Sequence, residues 1–309
     1  MRQSHGEKMT VQGTDEKAGE RADAQPLPAG LYVVATPIGN LGDITLRALD
    51  TLRGADLIAC EDTRVTAKLL ARYGIQVPTT AYHDHNAGRV RPRLLARIAD
   101  GGVVALVSDA GTPLVSDPGY RLVAEARQRG LAVTALPGAS ALLAALAVAG
   151  LPTDRFVFLG FLPSKTAARR TMIERYAAVP ASLVIYESAG RLPAMLADLA
   201  DVLGDRPAAV CRELTKRFEE VASDPLPALA DRYAAAGAPK GEIVVVVGPP
   251  AERAADADEV DRALTAALRT LSVREAAAAV AYATGARRRD VYQRALALTK
   301  AGPEAREDG

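Results

Sequence analysis

Carboxylates, imidazoles and glycine-rich bends stand directly after short apolar runs in this chain, a placement suited to proton transfer beside a bound ligand. Glu61, Asp62 and Arg64 follow the run that ends at Cys60, and His83, Asp84 and His85 follow the run that ends at Tyr82. Glu61, Asp62, Arg64 and His83 are therefore the candidate acid–base residues. An imidazole near its ordinary pKa can take a proton at neutral pH. Each has a plainer alternative. Asp62 and Thr63 suit a helix N-terminus with an Asp62–Arg64 surface pair, and the histidines suit a loop facing solvent or a partner subunit. No single base is assignable from the residues.

Two longer bends carry most of the ligand signal. Thr36-Pro37-Ile38-Gly39-Asn40-Leu41-Gly42-Asp43 follows Leu31–Ala35, and Ser108 to Gly119 follows Val103–Val107. Loops at the carboxyl ends of parallel strands are where open α/β sheets bind ligands. Glycine lets a ligand approach the backbone, and proline holds the bend in one shape. Asp109 could accept hydrogen bonds from such a ligand or close an Asx-turn on its own loop. Phosphate-binding signatures are missing: there is no GxxxxGK[ST]. Pro37 occupies the first glycine position of a would-be GxGxxG, where its fixed φ and missing N–H defeat that motif. No GxSxG elbow occurs either. The ligand implied is polar, partly cationic and not held through phosphate.

The elements that must position these residues alternate between strand and helix. Strands are expected at Leu31–Ala35, Asp56–Cys60, Thr79–Tyr82, Val103–Val107 and Val133–Leu136, with helices between them, as in a doubly wound sheet. Gly150 to Asp154 reads as a hinge. A second α/β unit has expected strands at Phe156–Gly160, Ser182–Tyr186, Ala208–Cys211 and Glu242–Val247. An acidic linker through Glu259 leads to a helix capped by Ser272 and Glu275. A turn at Gly285 and a second helix opening on Arg287, Arg288 and Arg289 complete a helix-turn-helix-like tail. The expected organisation is a disordered extension at 1–28, α/β domains at 29–150 and 151–250, and a helical domain at 257–302.

With 49% hydrophobic and 24% charged residues and a formal net charge of +1, the chain has no global basic field, so nucleic-acid contact would rest on local patches. The N-terminal residues lack an apolar signal segment, and no apolar run approaches the ~20 residues of a membrane span. The expectation is a cytoplasmic protein. Two distant cysteines, Cys60 and Cys211, and three histidines offer no zinc spacing. Buried reduced thiols and no metal are expected.

Taken together, the blocks have a family likeness. Ala35 to Thr45, Cys60-Glu61-Asp62-Thr63-Arg64 and Ser108 to Gly119 resemble, in order, the first three motifs of the ribosomal RNA small subunit methyltransferase I family, within the tetrapyrrole methylase superfamily. Leu136-Pro137-Gly138-Ala139-Ser140-Ala141, Phe158 to Pro163, Tyr186-Glu187-Ser188, Arg212 to Lys216 and Lys240-Gly241-Glu242 continue the series across residues 30 to 249. Pro37 departs from the superfamily's GxGxGD first loop and matches the rRNA branch.

The resemblance implies two α/β domains of the tetrapyrrole methylase type with a ligand cleft between them, plus the helical tail. It implies S-adenosylmethionine as donor, transfer to the ribose 2'-oxygen of a cytidine in the decoding centre of 16S rRNA in the small subunit, and a homodimer. Donor contacts are implied for Pro37, Gly39, Asp109, Ala110, Gly111, Leu114, Ser140, Ala141, Leu162, Leu214, Lys240, Gly241 and Glu242. For RNA, local charge comes from residues such as Arg64, Lys68, Arg89 and Arg91. Lys165 with Arg169 and Arg170 is the stronger candidate for phosphate, from helical spacing. Arg287, Arg288 and Arg289 are candidates on the tail, and Tyr186 for base stacking.

Overall fold

The computed structural model describes residues 26–251 and 257–300. The extension expected at 1–28 lies outside the described residues as far as position 25, as do 301 and 302 of the tail. The chain forms two compact units that divide between Ser140 and Ala141.

In the first unit, β1 (Gly30–Val34), β2 (Leu57–Cys60), β3 (Thr79–Ala81), β4 (Val103–Val107) and β5 (Val133–Leu136) form one parallel sheet in the order β3-β2-β4-β1-β5. Alternation along the strands sorts side chains onto two faces. Tyr32, Val34, Ala105 and Val107 meet Leu49 and Leu52 of α1 (Leu46–Gly54) and Leu69 and Leu70 of α2 (Thr63–Arg72). Leu31, Val104 and Leu106 meet Leu94, Leu95 and Ile98 of α3 (Ala87–Ala99) and Leu122 and Ala126 of α4 (Tyr120–Gln128). Helices thus cover both faces of a sheet whose central strands are wholly apolar, and every strand's carboxyl end opens at one rim.

In the second unit the sheet order is β6-β7-β10-β8-β9, built from β6 (Phe156–Phe161), β7 (Ser182–Ser188), β8 (Pro207–Arg212), β9 (Glu220–Pro225) and β10 (Glu242–Val247). Only β6 and β7 are parallel. One face is covered by α6 (Thr166–Tyr176), α7 (Leu192–Leu203) and α8 (Leu226–Ala236), through Ile173, Met195, Leu196, Leu199 and Leu229. α5 (Ala141–Val148) packs on β10, with the Leu142 N–H donating to the Tyr186 hydroxyl at 3.1 Å. That packing assigns α5 to the second unit, so the junction falls ahead of the hinge expected at Gly150 to Asp154. β9 was not expected because Glu220-Val221-Ala222-Ser223-Asp224-Pro225 is a polar edge strand with only Ala222 buried.

The tail contains α9 (Ala257–Ala267), α10 (Val273–Thr284) and α11 (Arg288–Lys300), packed around Val260, Leu264, Ala276, Val280, Val291 and Ala295. Ser272 and Glu275 form the expected capping box, and Gly285 ends α10 at φ 70°. α9 begins inside the stretch read as an acidic linker. Its Asp258 and Glu259 belong to the first helical turn, where carboxylates suit the helix dipole. Among the described residues no helix is long and apolar enough to cross a membrane, and no group of His, Cys, Asp or Glu could hold a metal ion. Cys60 and Cys211 are buried free thiols, and burial pushes the Cys211 thiol up to about 11.

Candidate active site

The two long bends meet at the rim of the first sheet. β1 and β4 are neighbours, so their loops leave side by side. The Thr36 N–H donates to the Gly111 carbonyl (2.8 Å), and the Gly111 N–H donates back to Thr36 (2.9 Å). The loop after β5 joins them: the Thr112 hydroxyl donates to the Ala139 carbonyl at 3.2 Å. A Cβ on Gly138 would fall 2.8 Å from that of Ala35, so only glycine permits this approach. Leu114 and Ser116 hold φ values of 75° and 63°, each a strained conformation costing about 1–3 kcal/mol that the surrounding loop must enforce.

On the other side of β4, towards the sheet edge, lies a cavity of about 480 Å³. Glu61, Asp62 and Arg64 come to it from the end of β2 and the start of α2, His83 and His85 from the loop after β3, and Asp109 from the end of β4. Asp109 is the brace: its carboxylate accepts from the Asp62 N–H at 3.0 Å, a bond between loops rather than an Asx-turn on its own. Asp62 caps α2 by accepting from the Arg64 N–H at 2.8 Å and pairs with the Arg64 guanidinium at 2.6 Å. Those bonds hold its carboxyl down to about 2. Asp62 is thus committed to Arg64 and to the helix end, which makes it a poor proton acceptor, while the Arg64 side chain remains exposed.

Glu61 is different. Burial pushes its carboxyl up, and the negative charge of Asp109 adds to that, partly opposed by His83. A carboxylate with raised proton affinity inside a cavity has the properties of a general base. His83 is half-buried, with its backbone N–H donating to the Asn86 side-chain oxygen at 3.0 Å, while its Nδ1 is buried with no hydrogen-bond partner. The sequence reading missed Asp117. Burial raises this carboxyl to about 6, and the Glu61 charge contributes next. Its residue type was visible, but a Ser-Asp-Pro-Gly string reads as turn punctuation, and nothing in the string shows that the side chain is half-buried near Glu61.

Comparison with known proteins identifies the family. The sequence model for Tetrapyrrole (Corrin/Porphyrin) Methylases matches residues 30–230, and that of the RsmI C-terminal HTH domain matches 254–299. A "Ribosomal RNA small subunit methyltransferase I" of Mesorhizobium japonicum is 54% identical over 89% of this chain and 94% of its own length. The chain belongs to the ribosomal RNA small subunit methyltransferase I family. It is a methyltransferase with S-adenosylmethionine as donor. Solved structures share the fold. A cobalt precorrin-4 methyltransferase aligns with TM-score 0.53 at 20% identity, covering 71% of this chain and 94% of its own. A uroporphyrin-III C-methyl transferase from Thermus thermophilus, complexed with S-adenyl homocysteine, aligns with TM-score 0.50 at 22% identity, covering 71% and 97%.

The residues for which the resemblance implies donor contacts are found in both units. In the first, Pro37 and Gly111 are buried in the bonded loops, Leu114 and Ser140 are half-buried, and Gly39 and Ala110 leave backbone exposed. This surface of small residues and backbone groups suits a nucleoside with an amino-acid tail. In the second, Ala141 begins α5, and Leu162 and Leu214 are buried apolar groups. Lys240, Gly241 and Glu242 form the turn into β10. Lys216 pairs with Glu213 and Glu242 at 2.8 Å each. Gly241 has φ 101°, and a Cβ there would fall 2.4 Å from the Glu213 carboxyl, so the turn requires glycine. Taken unit by unit, the side chains and backbone present fit the donor.

The RNA candidates divide. Arg169 is a correction: it is 3% exposed, and its guanidinium donates to Asp198 at 2.7 Å. Its spacing from Lys165 matches a helical stripe, but Lys165 precedes the first helical residue while Arg169 faces the core, where charge must be paired. Arg170 pairs with Asp201 at 3.1 Å. Tyr186 accepts from Leu142 and meets Phe158 edge-to-face at 4.8 Å, a packing role that occupies its ring. Lys165, Arg287, Arg288 and Arg289 are exposed.

Proposed function

We propose that this chain transfers a methyl group from S-adenosylmethionine to the ribose 2'-oxygen of a cytidine in the decoding centre of 16S rRNA, working in the cytoplasm as a homodimer. The observation that carries the reading is the acid–base cavity at the sheet rim, beside bonded strand-end loops, in a chain of this family. Bound, the donor supplies a methyl group on a sulfonium that leaves as a neutral thioether. The protein's work is positioning and proton removal. Holding the reacting groups in line is worth up to ~7–11 kcal/mol. The 2'-hydroxyl is a weak nucleophile until its proton leaves. Glu61 takes that proton, with Asp109 fixing the loop that carries it and Arg64 at the mouth offering charge to phosphate. His83 lies close enough to stabilise the ionised Glu61. The exposed Arg287, Arg288 and Arg289, together with Lys165, contact the RNA backbone.

Small subunits from a strain lacking the modification, incubated with labelled donor, test this directly. Glu61→Gln should lose about 10²- to 10⁴-fold in rate with donor affinity unchanged by calorimetry, and His83→Asn should lose less. A Glu61→Gln enzyme at full rate moves the base elsewhere. Label on a nucleobase, or no transfer at all, overturns the proposed chemistry.

A further inference from the structure

The β3 edge of the first sheet is flanked by two basic stripes. α2 and α3 pack on opposite faces beside β2 and β3, and both begin at the rim that holds the Glu61 cavity. Arg64, Lys68 and Arg72 on α2, and Arg89, Arg93 and Arg97 on α3, recur every four residues, a spacing that keeps side chains on one helix face. All six are exposed. Neither helix contains an Asp or Glu, although the whole chain carries 37 such residues against 38 Lys and Arg. Among the described residues, only Arg64 of the six has a carboxylate partner. Some exposed arginines elsewhere are paired, as Arg129 is with Glu125 and Arg232 with Glu220, and others, such as Arg121 and Arg175, have no ion pair among the described residues. What sets α2 and α3 apart is the recurrence of cations on helices that carry no carboxylate.

The edge between the stripes is itself open. Among the described residues β3 pairs only with β2, and a second cavity of about 760 Å³ runs beside it, lined by Thr80 of β3 with Val90, Arg93 and Arg97 of α3. Its acidic members are Asp56 and Asp100. Asp56 is spent internally, accepting from the Val103 N–H at 2.7 Å. Arg64 belongs to both the Glu61 cavity and the α2 stripe, so the charge leads from the edge to the acid–base residues.

We propose that the β3 edge with its two flanking stripes is an RNA-binding track, which grips the substrate backbone and delivers one ribose to the Glu61 cavity. The inference rests on the reading above and deepens it by naming where the acceptor strand lies. Repeated cations beside an open edge, most of them without a carboxylate partner among the described residues, suit a polyanion with regularly spaced charges, and backbone phosphates are read through such contacts without regard to base.

The test uses the full-length chain with unmodified small subunits. Two variants, Lys68→Glu with Arg72→Glu, and Arg89→Glu with Arg93→Glu, should each weaken subunit binding about tenfold or more and make its salt dependence shallower by roughly two contacts. KM for subunits should rise with them. Donor affinity and thermal midpoint should stay at wild-type values. Arg121→Glu with Arg175→Glu, on exposed positions off the track, should change none of these. Wild-type binding, salt slope and KM in both track variants overturn the proposal. Subunits that bind with the expected slopes but receive no methyl from the wild type overturn the function and leave the track standing. A wild type that does not bind them overturns both.

Discussion

Asp117 shows what a single half-buried carboxylate does near the site. Its folded pKa of about 6 lies above the ordinary 3.8 because burial and the Glu61 charge disfavour ionisation. As pH rises from about 4, the unfolded chain gives up this proton first, so the native state is stabilised at low pH and loses that advantage as the pH passes 6. Asp117→Asn removes the titration. The variant's melting temperature relative to wild type should therefore climb between about pH 4 and pH 7 and then level. A difference that does not change with pH shows that Asp117 does not titrate there. The same residue marks a boundary in what the string reveals. Glu61, His83 and Asp109 were visible because each follows an apolar run, and strand ends are where α/β folds place chemistry. The difference between Glu61 and Asp62 was not visible. Adjacent carboxylates look alike until one is seen capping a helix and the other facing a cavity.

At the scale of elements, Arg169 and Asp198 lock α6 to α7. Both side chains are almost fully buried, at 4% and 7% exposure, and Arg169 also donates to the Ser164 carbonyl at 3.2 Å. Removing one partner leaves the other charge buried and uncompensated. Asp198→Ala should cost about 3–5 kcal/mol in a denaturant titration, whereas Arg169→Met with Asp198→Leu should restore much of that. A mild effect of the single change would mean that water reaches the guanidinium. The pairing also explains why helical spacing misled: a stripe predicted from Lys165 and Arg169 requires both to be on one helix face, and α6 starts between them. Strands such as Val103–Val107 and Glu242–Val247 were legible because a buried strand has to be apolar along its whole length. β9 was not, because an edge strand need bury only Ala222 while its backbone pairs with β8.

Over the whole molecule, a formal charge of +1 conceals strong local asymmetry. The tail repeats on a small scale what α2 and α3 do on the first unit. Arg287, Arg288 and Arg289 crowd the start of α11, the end at which the helix dipole disfavours cations, each by about 0.3–1 kcal/mol at the surface. Asp290, in the same first turn, offsets only part of that. Three cations placed against the dipole point to a polyanion outside the chain as their reason. Replacing all three with Ala should therefore act in opposite directions on stability and function. Thermal unfolding of the tail should be unchanged or shifted slightly upward, while affinity for small subunits falls and the salt slope drops by about one for each lost phosphate contact. Removing residues 257–309 should cut subunit methylation further while leaving donor binding in place. If the triple variant binds subunits as the wild type does and melts lower, the arginines are holding the helix rather than the RNA, and recognition would fall to the first unit and Lys165.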